Sequence, residues 1–472
     1  MSTVVKLRDT GVSCDSVPKG VRMEPVLQII SEFLSEHDEL TDLVRNDLTR
    51  GLKNPKAGRK GLTASQVLRS LILMRIKDWD LRELRERIND GMTLRQFTEF
   101  HHQRVPKHDA FNRTFNRLTP NTMKAINDRT VQVAVELDLE DGRRLRVDTT
   151  VSETDIHYPT DNTLLWDAVR VITRLVERLI GVVDLPVTGF HNRTLSARRR
   201  MQEIQRMTTR QRNVGQTKKY KELIKTSAEV VASARAVLEQ TREAHGKTLL
   251  AELELDELRR EIEKFCGLGD RVIEQTRRRV VEGKQVSAEE KIYSIFEPHT
   301  DMIKRGKVRK PVEFGHKIFI AESAQGLVTQ YEVLDGNPRD DNHVKSSLEC
   351  HQQSFGRVPE VYSGDRGFFS EPNIDECKRR GVKEACIPQC GGKRTPEREA
   401  YEKSRVFKKW QRFRAGIEGR LSVLFRGRGM KRCRAHGRER FEVFVGSAVL
   451  ANNLMRIADL LANRPSRKRR AA

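Results

Sequence analysis

The chain has 472 residues, of which 33% are charged and 37% hydrophobic, and its formal net charge is +23 at pH 7. No apolar run approaches the roughly 20 residues that a membrane-spanning helix needs, and residues 1–19 lack the apolar segment of a secretory signal. We therefore expect a cytoplasmic protein with no membrane partner. Positive charge distributed along the chain favours a polyanionic partner such as nucleic acid over an unrelated basic enzyme.

The seven cysteines form no paired CxxC motifs, which predicts free thiols. Free thiols are typical of the reducing cytoplasm. A zinc site built from Cys377, Cys386, Cys390, Cys433 and His436 is the weaker alternative, because their spacing matches neither a zinc finger nor a zinc ribbon.

Helical periodicity dominates the first part of the chain. Apolar residues recur at helix spacing from Pro25 onward, and Thr63 followed three residues later by Gln66 is typical of a capped helix start. This pattern predicts an all-helical domain over residues 26–140, preceded by a flexible N-terminus over residues 1–25.

The segment from Val105 to Leu118 predicts a turn followed by a short helix. Phe111, Phe115 and Leu118 share its inner side, so the polar side chains that face outward are Asn112, Arg113, Asn116 and Arg117. Asn and Arg on the outside of a short helix suit a helix placed in a DNA groove, which makes residues 26–140 a candidate DNA-binding domain. Small helical bundles without this role show the same pattern, so both interpretations stay open.

At Asp141–Gly142 the apolar period changes from helical to alternating, which predicts a strand over residues 145–151 and the start of a second domain. Asp148 lies within this strand, between Val147 and Thr149. A carboxylate in a strand of this kind is costly unless it is solvated, paired or bound to a metal ion.

Residues 162–290 have an almost wholly helical pattern and predict a helical insertion in the second domain. Its expected helices cover residues 162–180, 196–243 and 249–281. Its arginine clusters suit phosphate binding, although a solvated helix face is the commoner explanation of such a cluster. Strand patterns return over residues 291–296 and in a hairpin formed by residues 312–321 and 327–334.

Asp365 follows a short predicted strand, residues 358–362, and stands between Gly364 and Gly367 at the start of a turn. The turn leads into a predicted helix over residues 370–380, and a further strand is expected over residues 382–387. Ligands of α/β sheets collect at the carboxyl ends of strands, so a carboxylate at this place is a candidate metal ligand. A turn aspartate that binds only its own backbone is the alternative.

Residues 404–426 predict an amphipathic helix on which Glu418 stands beside the apolar stripe, with Arg414 one turn earlier. A surface ion pair is the simpler explanation of this pair, while a third metal ligand is the more specific one. The many lysines and arginines around Glu418 suit a site that holds a phosphodiester. A final helix is expected over residues 441–463, followed by a basic tail over residues 464–472.

Several local motifs together resemble bacterial insertion-sequence transposases of the DDE class, nearest to the ISNCY group. The motifs are Asp148-Thr-Thr-Val, His157-Tyr-Pro-Thr-Asp161, Pro311-Val-Glu-Phe-Gly-His-Lys317, Gly364-Asp-Arg-Gly367 and Arg414-x-x-x-Glu418. The resemblance covers about residues 25–460. It departs from the family pattern at Gln411 and Phe425, where relatives often carry Tyr and Lys, and Arg426 is a candidate substitute for the Lys.

The resemblance implies an α/β fold: a ribonuclease-H-like mixed sheet flanked by helices, with a large helical insertion and an all-α N-terminal domain before it. The catalytic domain would span residues 141–463. The resemblance also implies that Asp148, Asp365 and Glu418 are both the catalytic residues and the metal ligands. They would hold two Mg²⁺ ions, with Mn²⁺ as a substitute.

The implied partners are the terminal inverted repeats of the element and the target DNA, with Arg366, Arg414 and Arg426 as further DNA-binding residues. The implied enzyme is a transposase that acts as a homo-oligomer on DNA in the bacterial cytoplasm, associated with the nucleoid. Two alternatives remain at this stage. One is a catalytically silent DNA-binding protein derived from a transposase, and the other is a purely hydrolytic nuclease of the same fold.

Overall fold

The computed structural model describes residues 22–54, 61–304 and 311–464. Most of the segment expected to be flexible, residues 1–25, and nearly all of the basic tail lie outside these ranges. The described residues fall into two compact units. The first unit contains residues 1–152, 317–334 and 338–472 as far as they are described, and the second contains residues 153–316 and 335–337.

The first unit begins with seven helices, which confirms the expected all-helical N-terminal region. They are α1 (Pro25–Glu36), α2 (Asp38–Thr49), α3 (Ala64–Lys77), α4 (Leu81–Asp90), α5 (Met92–Phe97), α6 (His108–Phe115) and α7 (Pro120–Glu136). Thr63 caps α3 with the predicted reciprocal hydrogen bonds to Gln66. The apolar faces of these helices share one core with Val443, Leu450 and Leu454 from the C-terminal helix.

The strands of the first unit form a mixed sheet. They are β1 (Arg144–Thr154), the larger part of β3 (Val312–Ser323), β4 (Val328–Val333), β5 (Val361–Ser363), β6 (Glu384–Cys386) and β7 (Arg432–Cys433). The order is β3-β1-β5-β6, with β4 on β3 and β7 on β1. β5 is parallel to both β1 and β6, whereas β3 and β4 form the predicted antiparallel hairpin.

Five helices complete the first unit: α12 (Val344–Phe355), α13 (Glu371–Arg380), α14 (Pro396–Lys403), α15 (Arg405–Gly427) and α16 (Arg438–Ala462). Alternate residues of β3 face opposite sides of the sheet. Phe319 packs in the core that α12 and α13 cover, and Ile318 in the core that α15 and α16 cover. Helices thus flank the mixed sheet, and the predicted ribonuclease-H-like α/β fold is confirmed.

Among the described residues, α16 is the one helix long and apolar enough to cross a membrane. Of its most apolar window, 72% is buried inside the protein. Its residues Phe441, Val445 and Leu450 belong to the hydrophobic cores of the first unit. The apolar character of α16 is therefore that of a core helix.

The second unit consists largely of four helices and one short strand. They are α8 (Asp161–Val182), α9 (Thr194–Arg206), α10 (Thr209–Gln240), α11 (Leu249–Thr276) and β2 (Asp301–Lys304), which pairs with Val312–Gly315 at the start of β3. The expected continuous helix over residues 196–243 is wrong. Thr208 caps a new helix, since its side chain and that of Gln211 exchange hydrogen bonds with each other's backbone N–H groups.

The strand expected over residues 291–296 is also wrong. Ile292 and Ile295 are buried in the helical core of the second unit, but the backbone there forms no ladder. The Gln275 side chain instead binds both backbone groups of Ile292, and Ser294 Oγ accepts from the backbone N–H groups of Phe296 and Glu297. Side-chain hydrogen bonds therefore satisfy backbone groups that a sheet would otherwise have paired.

Candidate active site

Asp148 and Asp365 stand at equivalent places on neighbouring parallel strands. Arg146 of β1 is in register with Ser363 of β5, and each aspartate lies two residues further along its strand direction. Because the two strands are parallel and in this register, both aspartates lie at the same level along the strands, just beyond the end of β5 and near the middle of β1. Asp148 is buried, and its Oδ1 accepts the backbone N–H of Thr149 at 2.8 Å.

Asp365 caps a short 3₁₀ turn, Arg366–Phe368, and its Oδ1 accepts the backbone N–H of Gly367 at 2.8 Å. One oxygen of this carboxylate thus serves its own turn, as the simpler interpretation expected. The other oxygen, Oδ2, lies 3.8 Å from the guanidinium of Arg414.

The guanidinium of Arg414 on α15 contacts all three predicted carboxylates. Its Nη2 lies 3.0 Å from Asp148 Oδ2 and 3.8 Å from Asp365 Oδ2, and its Nη1 lies 3.5 Å from Glu418 Oε1. The fold therefore brings Asp148, Asp365 and Glu418 around one positive charge, although Asp148 and Arg414 are 266 residues apart in the chain. Asp148 is almost enclosed, with a side chain 11% exposed, whereas the Glu418 side chain is 70% exposed.

A buried salt bridge positions α15 above the sheet. Glu322 of β3, which is fully buried, pairs with Arg146 of β1 at 2.7 Å and with Arg420 of α15 at 2.9 Å. Arg146 also donates to the carbonyl oxygen of Phe413 at 2.7 Å. The guanidinium of Arg146 occupies the place that a Cβ on Gly416 would take, so a larger residue there would collide with it. Gly416 lies between Arg414 and Glu418 on α15, so this contact sets where the two charged side chains emerge.

The three carboxylates supply hard oxygen ligands, and their chemistry fits a divalent cation such as Mg²⁺. Among the described residues, no three acidic, His or Cys side chains are arranged to hold one ion together, because the guanidinium stands between the acids. The Nε of Arg414 is buried and has no hydrogen-bond partner among the described atoms. A cation held by these acids would compete with the Arg414 guanidinium for their oxygens.

Two family comparisons match separate parts of the chain. Residues 274–454 match the family described as Transposase DDE domain, and residues 21–117 match the Transposase domain (DUF772). Both matches indicate an insertion-sequence DDE transposase. Members of this family cut DNA and transfer its strands, and they generally depend on a divalent metal ion. No curated protein and no solved structure matches the chain, and its placement nearest to the ISNCY group stays a prediction.

Sequence reasoning missed a fourth acidic residue beside the transposase site. Asp340 Oδ1 accepts from Lys317 Nζ at 2.7 Å and from Thr149 Oγ1 at 2.9 Å. Its Oδ2 lies 2.8 Å from the place that a Cβ on Gly367 would occupy, and Asp365 Oδ1 lies 3.0 Å from the same place. Asp340 therefore links the β1 segment of Asp148 to the turn of Asp365. The available signal was its place shortly after a predicted strand, the same signal that singled out Asp365.

The predicted DNA-binding residues have different surroundings in the transposase. Asn112 and Arg113 are exposed on α6, as expected, but α6 ends at Phe115, so Asn116 forms its C-terminal cap. Arg117 lies beyond the helix and donates to the backbone oxygen of Arg50 at 2.7 Å. Arg366 and Arg426 are exposed. The DNA-binding role of all these residues stays a prediction.

Proposed function

We propose that the transposase binds the terminal inverted repeats of its own insertion sequence and performs metal-dependent strand cleavage and strand transfer with Asp148, Asp365 and Glu418. The observation that carries this proposal is the convergence of these three carboxylates on the guanidinium of Arg414. Three acids this close together repel one another unless positive charge lies between them. Such a group suits a site that exchanges one cation for another.

In this proposal Asp148, Asp365 and Glu418 would together hold two Mg²⁺ ions, for which Mn²⁺ can substitute. When bound, such ions would supply the positive charge that the attacking and leaving oxygens need. The buried Asp148 would provide a fixed ligand on β1, while the exposed Glu418 is free to adjust. Water hydrolyses a phosphodiester at the element's end and releases a 3′-OH. That 3′-OH then attacks a phosphodiester of the target DNA, whose own 3′ oxygen leaves, so no covalent protein intermediate forms.

Arg414 has two roles in this scheme. Without a divalent ion it neutralises the three acids, and when the acids hold metal its guanidinium turns to the DNA phosphate beside them. Arg366, Arg426 and the exposed residues of α6 contribute further phosphate and base contacts. The enzyme acts as a homo-oligomer on paired element ends, in the cytoplasm and close to the nucleoid.

The deciding experiment incubates the full chain with Mg²⁺ and a duplex that carries the inverted repeats flanking its gene. A transposase yields joined strands, a hydrolytic nuclease yields only cut strands, and a silent DNA-binding protein yields neither. Asp148→Asn, Asp365→Asn and Glu418→Gln should each abolish cleavage and leave end binding nearly intact. Asp375→Asn, which changes an exposed acid on α13, is the matched control. Cleavage retained by the three site variants would overturn the assignment.

A further inference from the structure

A cleft of about 900 Å³ lies in the first unit between the N-terminal helices and the segment that joins α15 to α16. None of the three proposed catalytic acids lines it. Its lining includes six Arg or Lys side chains, namely Arg75, Arg82, Lys431, Arg432, Arg434 and Arg440, against two carboxylates, Asp78 and Asp80. The cleft is therefore strongly cationic and separate from the site that would cut DNA.

The inner wall of the cleft is aromatic. Trp79 and Phe425 are half-buried there, and Phe115 and Phe444 lie deeper. The guanidinium of Arg75 stacks 4.2 Å from the centre of the Phe444 ring and donates to Ser447 Oγ at 2.9 Å. Burial lowers the pKa of Arg75 to about 10, so this side chain still carries its charge at neutral pH.

The outer rim carries the exposed cations. Arg82, Lys431, Arg434 and Arg440 are all exposed. Asp80 is held at the start of α4, where its carboxylate accepts the backbone N–H groups of Arg82 and Glu83 at 2.8 and 2.9 Å, and the rim cations outnumber it. The amide side chains of Asn112 and Asn116 reach the same cleft from α6.

We propose that this cleft binds an unpaired segment of the DNA substrate, with a base against Trp79 and phosphates on the cationic rim. Aromatic side chains inside a basic groove are typical of sites for single strands, because every base offers a stacking face. The volume lies within the range of about 300–1,000 Å³ that suits small ligands, which favours a short unpaired segment over a duplex. The proposal that the strand belongs to the element's end rests on the proposed function.

The test measures binding of a short fluorescent oligothymidylate to the full chain by anisotropy over a range of salt concentrations. The double variant Lys431→Glu with Arg440→Glu should bind at least tenfold more weakly. The slope of log affinity against log salt should fall by about 1.4, since each phosphate contact on a single strand contributes about 0.7. Lys345→Glu with Lys378→Glu makes the same charge change on exposed residues of α12 and α13 and should leave binding unchanged.

Stacking is tested at Trp79. Trp79→Phe should keep most of the affinity, whereas Trp79→Leu should lose roughly tenfold or more. Thermal unfolding of each variant shows whether it is folded. Equal affinity of both Trp79 variants, or equal weakening by both charge-reversed pairs, overturns the proposal. Binding of thymidine monophosphate as tight as that of the oligomer overturns it too, because the ligand would then be a free nucleotide.

The Asp148→Asn variant separates the test of the cleft from the test of the catalytic proposal. That variant should bind the oligomer with full affinity, because Asp148 does not line the cleft. If the wild-type chain binds the oligomer but neither cuts nor joins DNA, the proposed function fails and the cleft assignment stands. If it cuts and joins DNA while the charge-reversed pair at the cleft binds the oligomer normally, the cleft assignment alone fails.

Discussion

Thr149 and Asp340 are joined by a 2.9 Å hydrogen bond although 191 residues separate them in the chain. The backbone N–H of Thr149 in turn donates to Asp148, and Asp340 approaches the turn that holds Asp365. One carboxylate outside the predicted triad therefore lies between the segments that carry two members of that triad. This relationship leads to the first two predictions.

Gly367→Ala should displace the Asp365 turn, because the new Cβ would meet Asp340 Oδ2 at 2.8 Å and Asp365 Oδ1 at 3.0 Å. A displacement of about 1 Å at a reacting site costs roughly a hundredfold in rate, so cleavage of an end-repeat duplex should fall about that much. Binding of the duplex should change little. Cleavage at the wild-type rate would show that the turn tolerates the methyl group.

Asp340→Asn should leave the Lys317 ammonium, only 11% exposed, without its anionic partner. We expect a loss of about 1–3 kcal/mol in the free energy of unfolding, measured with urea, together with weaker cleavage. The double variant Asp340→Asn with Lys317→Met should recover the stability but not the cleavage, because Thr149 and Gly367 still face an uncharged amide. Recovery of both would reduce Asp340 to a structural role.

Arg414→Gln removes the positive charge that now lies among Asp148, Asp365 and Glu418. Since the guanidinium competes with a divalent ion for these acids, Mn²⁺ should bind the variant about tenfold more tightly, as measured by electron paramagnetic resonance of free Mn²⁺. Cleavage should fall at the same time because the phosphate contact is lost. Unchanged or weaker Mn²⁺ binding would contradict the exchange of cations.

Two glycines on α15 should respond oppositely to substitution by alanine. Gly416 lies against the Arg146 guanidinium, so Gly416→Ala should break the contacts that anchor α15 and lower the melting temperature. Gly419 has open space where its Cβ would be, and Gly419→Ala should stabilise the helix by up to about 1 kcal/mol. Calorimetric scans of both variants test the pair, and equal shifts would argue against the role of Arg146.

His351 should make the first unit sensitive to acid. Its ring is fully buried, Nε2 donates to the Gly142 carbonyl oxygen at 2.8 Å, and burial lowers the pKa of His351 from 6.5 to about 4. The folded state therefore binds this proton less readily than the unfolded state, so stability is full above pH 6.5 and falls as the pH drops toward 4. The loss should reach up to about 3 kcal/mol, and His351→Gln should remove that part of the pH dependence in urea titrations.

Much of the fold follows from local patterns. The change from helical to alternating periodicity near Gly142 predicted β1, and the hairpin, α13 and α15 were expected close to their observed bounds. Two predicted elements were wrong because a local cap or side-chain hydrogen bonds overrode the apolar periodicity. The cap at Thr208 divided one expected helix, and side-chain hydrogen bonds replaced the strand expected over residues 291–296.

The sequence by itself singled out the three carboxylates that we propose carry the chemistry. Each of them is recognisable from its local context. One carboxylate lies within a strand, where burying its charge costs free energy, one follows a strand, and one stands beside the apolar stripe of a helix. Only the tertiary structure decided that Arg414 stands among all three and that Asp340 and Lys317 support them. Those contacts join residues far apart in the chain, and their partners depend on strand register and on how α15 packs, which no local periodicity contains.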